Sequence, residues 1–191
     1  MRPAILICVM LLGAPTACRV RLAAQRYDGS WWQSLSAVEQ DAFVSAYLDC
    51  YIWDARGVDY SDQSIKQQVG SVSDFYKTHP NLMDMAVPDV VRTLGRSPTH
   101  AQGGERHGAY DGDFWRQLPD SGRLAFIQGY LECERLHLLN HFSRTPEAYV
   151  RTISGWYGVS DANESQLNDE RANDKIGDVL TALRDKATRP E

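Results

Sequence analysis

The sequence predicts an all-α fold in which two homologous helical repeats pack as one domain about a pseudo-twofold axis, behind an N-terminal signal peptide. Three observations predict it. The stretch YDGSWWQSLSAVEQDAFVSAYLDC, from Tyr27, aligns without a gap with YDGDFWRQLPDSGRLAFIQGYLEC, from Tyr110. Small residues fall on one helical face in both copies, as Ala42, Ala46 and Cys50 and as Ala125, Gly129 and Cys133, at i, i+4 and i+8. Period-two alternation of β-branched residues is nowhere sustained.

Taken in order, residues 1–24 read as the signal peptide. Arg2 is a short basic start, Ala4 to Gly13 an apolar run, and Ala14 to Ala17 a small-residue stretch. The run falls short of the ~20 apolar residues that a membrane-spanning helix needs. The boundary lies between residues 17 and 24. A cut after Ala17 places the unfavourable Pro15 before it, whereas a cut after Ala24 leaves Leu22 and Ala24 in acceptable positions. Cys18 as a lipidated first residue is the minority alternative, because Ala14-Pro15-Thr16-Ala17 lacks the Leu of a lipobox. Losing Arg2, Arg19 and Arg21 with the leader lowers 20 basic residues to 17 against 25 acidic ones, and moves the net charge from −5 to −8. Without a basic stripe, nucleic acid and anionic membrane surfaces are disfavoured as partners. The mature chain of about 170 residues suffices for one real core and has no transmembrane span.

Repeat one spans 27–94 and repeat two 110–183, with tail 184–191. Beyond the opening match, Ser73-Asp74-Phe75-Tyr76 pairs with Ser154-Gly155-Trp156-Tyr157, and Asp89-Val90-Val91 with Asp178-Val179-Leu180. The Gly- and Pro-containing linker 95–109 separates the copies, and Ser160 to Asp174 is a polar insertion in the second. Asp28-Gly29 and Asp111-Gly112 read as turns. Ser36-Ala37-Val38-Glu39 has the form of a capping box and opens a helix to about Ala55. Pro119 stands there in the second copy, so Asp120 is the expected cap of a helix running to about His141. Val72 to Thr78 and Thr145 to Tyr157 form the next helix, and Pro88 to Leu94 and Lys175 to Arg184 the last.

The two cysteines carry three alternatives. A disulfide between Cys50 and Cys133 suits an exported protein in which equivalent residues meet near the axis. Two separately buried thiols are the plain alternative. Zinc held by Cys50, Asp54, Cys133 and His137 is the third, since His137 and His141 continue the stripe of Cys133. Among the aromatics, Trp32 and Trp115 read as core. Trp31 and Phe114 are the candidates for an exposed sugar- or peptide-stacking surface. Asp49 and Glu132 are a candidate acid–base pair that solvated helix carboxylates would equally explain. Asp161 to Ser165 resembles the start of a calcium loop, but Gln166 and Ala172 stand where Gly and Glu are needed. Gly103-Gly104 lacks the lysine of a phosphate loop, and no serine, threonine or cysteine has a recognisable nucleophile setting.

The pattern of Trp115, Leu118, Gly129, Tyr130, Trp156, Tyr157, Asp178 and Val179 resembles small exported bacterial helical proteins of uncharacterised function. That resemblance implies fold and export, not mechanism. The functional expectation is an extracytoplasmic helical binding module with a protein partner, inhibitor- or immunity-like, and with no cofactor. The alternatives are a metal protein or enzyme using Cys50, Asp54, Cys133 and His137, and carbohydrate binding through Trp31 and Phe114.

Overall fold

The computed structural model describes residues 27–54, 65–94, 110–137, 142–159 and 171–188. Of these, 79% are helical and none lies in a strand, so the fold is all-α. The first part of the chain contributes α1 (Gly29–Ser34), α2 (Ala37–Asp54), α3 (Ile65–Thr78), a 3-10 turn (Pro80–Leu82) and α4 (Val87–Leu94). The second part contributes α5 (Gly112–Gln117), α6 (Asp120–His137), α7 (Pro146–Trp156) and α8 (Ile176–Thr188).

Residues expected to form simple turns instead open short helices. Asp28 and Asp111 sit in extended conformation and cap α1 and α5: Asp28 Oδ1 accepts from the Trp31 N–H at 3.0 Å, and Asp111 Oδ1 from Asp113 and Phe114 at 3.1 and 3.3 Å. Gly29 and Gly112 follow because a Cβ there would stand 2.6 and 2.7 Å from the rings of Tyr76 and Tyr157. The glycine gives each tyrosine ring its place. The tyrosine hydroxyls then donate to the Met85 and Asp174 carbonyls at 2.8 and 2.7 Å. Burial, followed by neighbouring carboxylates, raises both phenols well above the ordinary tyrosine value.

The same joints recur in both parts. Trp32 Nε1 donates to Ser73 Oγ at 3.0 Å and Trp115 Nε1 to Ser154 Oγ at 3.1 Å. The Val87 and Ile176 N–H groups donate to the Tyr27 and Tyr110 carbonyls at 2.7 and 2.9 Å. Single antiparallel bridges join Asp28 to Ala86 and Asp111 to Lys175. The start of each part is thereby pinned to the start of α4 or α8.

The Ser36–Glu39 capping box forms: the Ser36 N–H donates to Glu39 Oε2 at 2.6 Å and the Glu39 N–H to Ser36 Oγ at 3.4 Å. These bonds from Ser36 hold the Glu39 carboxyl below the ordinary value. Asp120 does not act as the expected cap. Its carboxylate accepts from Arg123 Nη1 at 2.9 Å, because Arg123 is the group that gathers this end. Arg123 also donates to the Trp115 and Arg116 carbonyls at 3.0 and 3.4 Å, closing the end of α5. Gln40 performs the first of these tasks for Trp32 in the other part, at 3.0 Å.

α3 begins at Ile65, seven residues before the expected Val72, because its buried face is Gln68, Val72 and Tyr76 at i, i+4 and i+8. A polar Gln68 in that row hides the periodicity. α8 continues to Thr188, into the stretch read as tail. Residues 138–141, expected at the end of α6, lie outside the described residues.

The core is built on α2 against α6. Glu39 meets Ser121, the Phe43 backbone meets Gly129, and Cys50 meets Cys133. Contacts that advance together along both helices mean that the pair runs parallel. Ala42, Ala46, Ala125 and Gly129 line the seam and are all buried. Phe43, Tyr47, Phe126 and Tyr130 flank it, also buried. Full burial of such an apolar side chain contributes about 1.5–3 kcal/mol. The Cys50 and Cys133 Cα atoms are 6.1 Å apart and the sulfurs are bonded, so the disulfide alternative is the one present.

Two expected results follow from these local environments. A Cβ on Gly70, in α3, would have no neighbour within 4 Å. Gly70→Ala therefore raises stability by about 0.5–1 kcal/mol, read as a higher urea midpoint; a lower midpoint contradicts an open helical site. Partial burial pushes the Asp111 carboxyl up, but the Phe114 N–H, Lys175 and the Asp113 N–H outweigh it and hold it below the usual range. The folded pKa thus lies below the unfolded value of about 3.9. Asp111 contributes stability that is complete above that value and is lost as pH falls through the folded pKa. Asp111→Ala should cost about 1 kcal/mol at neutral pH, with the gap to the parent closing on acidification. A gap that stays constant down to pH ~2 contradicts the assignment.

Candidate functional site

The residues singled out in the sequence occupy different kinds of place. Cys50 and Cys133 are 3% and 0% exposed, in the C-terminal thirds of α2 and α6. Joined to each other, they offer no thiolate to a metal. Asp54 and His137 lie in the last turns of α2 and α6, but their side chains, like all of His141, fall outside what is described. Among the described residues no three His, Cys, Asp or Glu side chains gather in a metal-binding group. The calcium-like stretch Asp161 to Ser165, the Gly103-Gly104 pair and residues 1–24, Cys18 among them, also lie outside the described residues.

Glu132 is committed to Arg135, accepting from its Nε at 2.9 Å and its Nη2 at 2.6 Å. Asp49 is half-buried and engaged in contacts of its own. Tyr27 reaches from the first part of the chain towards Glu132 and Glu147. Burial first, then these two carboxylates, pushes its phenol up to about 12. Glu134, buried on α6, pairs with Arg184 of α8 at 3.6 Å.

Trp31 and Phe114 are half-buried rather than laid open. The Trp31 ring packs 4.8 Å from Tyr27 and 4.9 Å from Phe43, and Phe114 packs 4.5 Å from Tyr110 and 5.5 Å from Phe126. The cause is the helical form of α1 and α5. Successive residues there lie about 100° apart, so Trp32 and Trp115 enter the core while their neighbours lean on the flanking aromatics. Among the described residues, the exposed large hydrophobic side chain is Val38, at 46%.

The site that sequence reasoning missed is a half-open groove between the start of α6 and α7, with a volume of about 470 Å³. Leu124, Val150 and Val159 supply its aliphatic lining. Its polar groups come from both helices. Arg123 and Asp120 are spent on one another and on the end of α5. Ser154 accepts from the Trp115 indole, so this half-buried hydroxyl is oriented from below. Glu147 and Arg151, exposed on α7, lack ion-pair partners among the described residues. Gly155 completes the rim, with nothing within 4 Å of where a Cβ would stand.

No family model matches the chain, and no curated protein and no solved structure matches it. The site is therefore read from its own chemistry. A groove of this size is within the ~300–1,000 Å³ range of ligand clefts. It offers apolar surface, one accessible cation, one accessible anion and a fixed hydroxyl, a set suited to holding a ligand. The sequence does contain one signal for it. When Ser73-Asp74-Phe75-Tyr76 is aligned with Ser154-Gly155-Trp156-Tyr157, Gly70 and Asp74 stand where Arg151 and Gly155 do, so the two segments differ at the groove.

Proposed function

We propose that the protein is an exported helical binding module that engages another protein, in the manner of inhibitor- or immunity-type proteins. The observation that carries this reading is the α6–α7 groove. It adds an accessible, chemically mixed concavity to a core held rigid by a disulfide. Export is supported by the leader-like residues 1–24 and by the disulfide, which persists in oxidising compartments. Among the described residues, no helix is long and apolar enough to cross a membrane.

Within this reading, the chain is a tandem duplicate whose halves are related by a pseudo-twofold axis along the α2–α6 seam. Support comes from the paired hydrogen bonds of Trp32 and Trp115, Tyr76 and Tyr157, and Val87 and Ile176. The likeness of the second copy to small exported bacterial helical proteins points the same way.

The test is cross-linking of the protein in its native cell envelope, followed by purification and intact mass. One stoichiometric protein partner, attached to a chain that starts between residues 18 and 25, is the expected result. A chain that retains Met1 in the cytosol sinks the export reading. Repeated recovery of the protein alone sinks the partner reading.

A further inference from the structure

We infer that the α6–α7 groove holds the free carboxy-terminal end of a polypeptide whose last residue is aliphatic. The inference rests on the binding-module reading and names the chemistry of the segment bound.

The carboxylate is specified by two donors on one face of α7. Arg151 and Ser154 stand at i and i+3, so both project to the same side. Ser154 Oγ already accepts from Trp115 Nε1 at 3.1 Å, which leaves its own O–H to donate towards the groove. The Arg151 guanidinium is exposed and has no acid partner among the described residues. A guanidinium and a hydroxyl one turn apart on the same face of α7 form a charge-assisted donor site for one carboxylate. The other cation of the groove, Arg123, is not available. Its Nε, Nη1 and Nη2 donate to the Trp115 carbonyl, Asp120 and the Arg116 carbonyl. One position in the groove is thus prepared for an anion.

The remaining surface selects what carries that anion. Leu124, Val150 and Val159 are branched aliphatics with no ring among them, a surface for a branched aliphatic side chain rather than a stacking platform. An internal Asp or Glu would bring a carboxylate without such a side chain on the same residue, whereas a terminal Leu, Ile or Val brings both. Gly155, directly after Ser154 and open to solvent, lets the bound backbone approach α7 closely. Glu147 at the rim repels a second carboxylate and favours neutral or basic residues upstream. The first copy has Gly70 in the place of Arg151, so its matched surface lacks the cation and serves as an internal control.

The test is NMR titration of the purified protein with N-acetyl-Ala-Leu carrying a free carboxylate, with its carboxamide, and with N-acetyl-Ala-Gly. The free acid should saturate with a Kd of about 1 mM or tighter, with shifts confined to α7 and the first turns of α6. The carboxamide and the glycine peptide should bind at least tenfold more weakly. Gly155→Trp should abolish binding by filling the groove, and Asp74→Trp, at the matched position of the first copy, should leave it unchanged. Arg151→Gln, on an exposed side chain, should remove the preference for acid over amide and provides the answer if Gly155→Trp does not fold. Equal affinity for acid and amide, no saturable binding, or binding that survives in Gly155→Trp each overturns the assignment. The two readings fail separately. A cross-linked partner that still binds Gly155→Trp and Arg151→Gln removes the groove's role and keeps the binding module. Peptide binding without any envelope partner does the reverse.

Discussion

Replacing both Cys50 and Cys133 by alanine lowers stability by about 3–5 kcal/mol, through the unfolded chain more than through the folded one. The bond closes a loop with a sequence separation of 83. Opening it returns to the unfolded ensemble the entropy that so long a loop withholds. Both sulfurs are buried, so the alanines also leave a small void in the seam, which acts in the same direction. For a chain of this size the loss amounts to a fall in Tm of about 10 °C or more. Guanidinium unfolding of the oxidised, reduced and double-alanine forms is the measurement. The reduced and double-alanine forms should fall together, well below the oxidised one. A double variant as stable as the oxidised parent would mean that the tie adds nothing, and the seam would then owe its strength to packing alone.

Gly129→Val is expected to destabilise by about 3 kcal/mol or more, by forcing α2 and α6 apart. A Cβ at Gly129 would stand 2.3 Å from the Phe43 carbonyl oxygen and 3.1 Å from its carbon. Those atoms are backbone, so no rotamer change relieves the collision, and overpacking in a dense core costs about 1–3 kcal/mol even where side chains can yield. Gly129→Ala should show the same defect in smaller measure. The matched position, Ala46, already carries a Cβ at 0% exposure, so the close approach is one-sided. Ala46→Gly should therefore lack the collision and cost about 2 kcal/mol, the helix penalty together with the loss of one buried methyl. Chemical unfolding of the four proteins, with free-thiol counting of each folded form, provides the ranking. Gly129→Val as stable as the parent would show that the helices do not meet there.

The serial logic of the chain was legible where the determinants are local. The Ser36–Glu39 box and the small stripes ending at Cys50 and Cys133 come from spacing and residue type, and each depends on atoms within about two turns of helix. The core positions of Trp32 and Trp115 were legible from their recurrence at matched places in the sequence. The bridge between the cysteines was legible as one of three alternatives, because export and matched seams made their meeting reasonable. Geometry then selected it over two thiols.

What only the tertiary structure decided is longer in range. Six-residue helices such as α1 and α5 are too short to persist by propensity. They hold because Asp28 and Asp111 cap them and because Ser73 and Ser154 receive their indoles, which are distant in sequence. The early start of α3 is invisible for a related reason: Gln68 reads as surface until the packing of Val72 and Tyr76 buries its face. The groove depends on distance most of all. Arg151 and Gly155 are ordinary surface residues of an amphipathic helix when read alone. They become a site only because Trp115 draws Ser154 and α7 against the start of α6, where Arg123 has been spent on closing α5. Local chemistry wrote the helices, while the choice of which faces meet required contacts whose free energy exists only once the whole chain has packed.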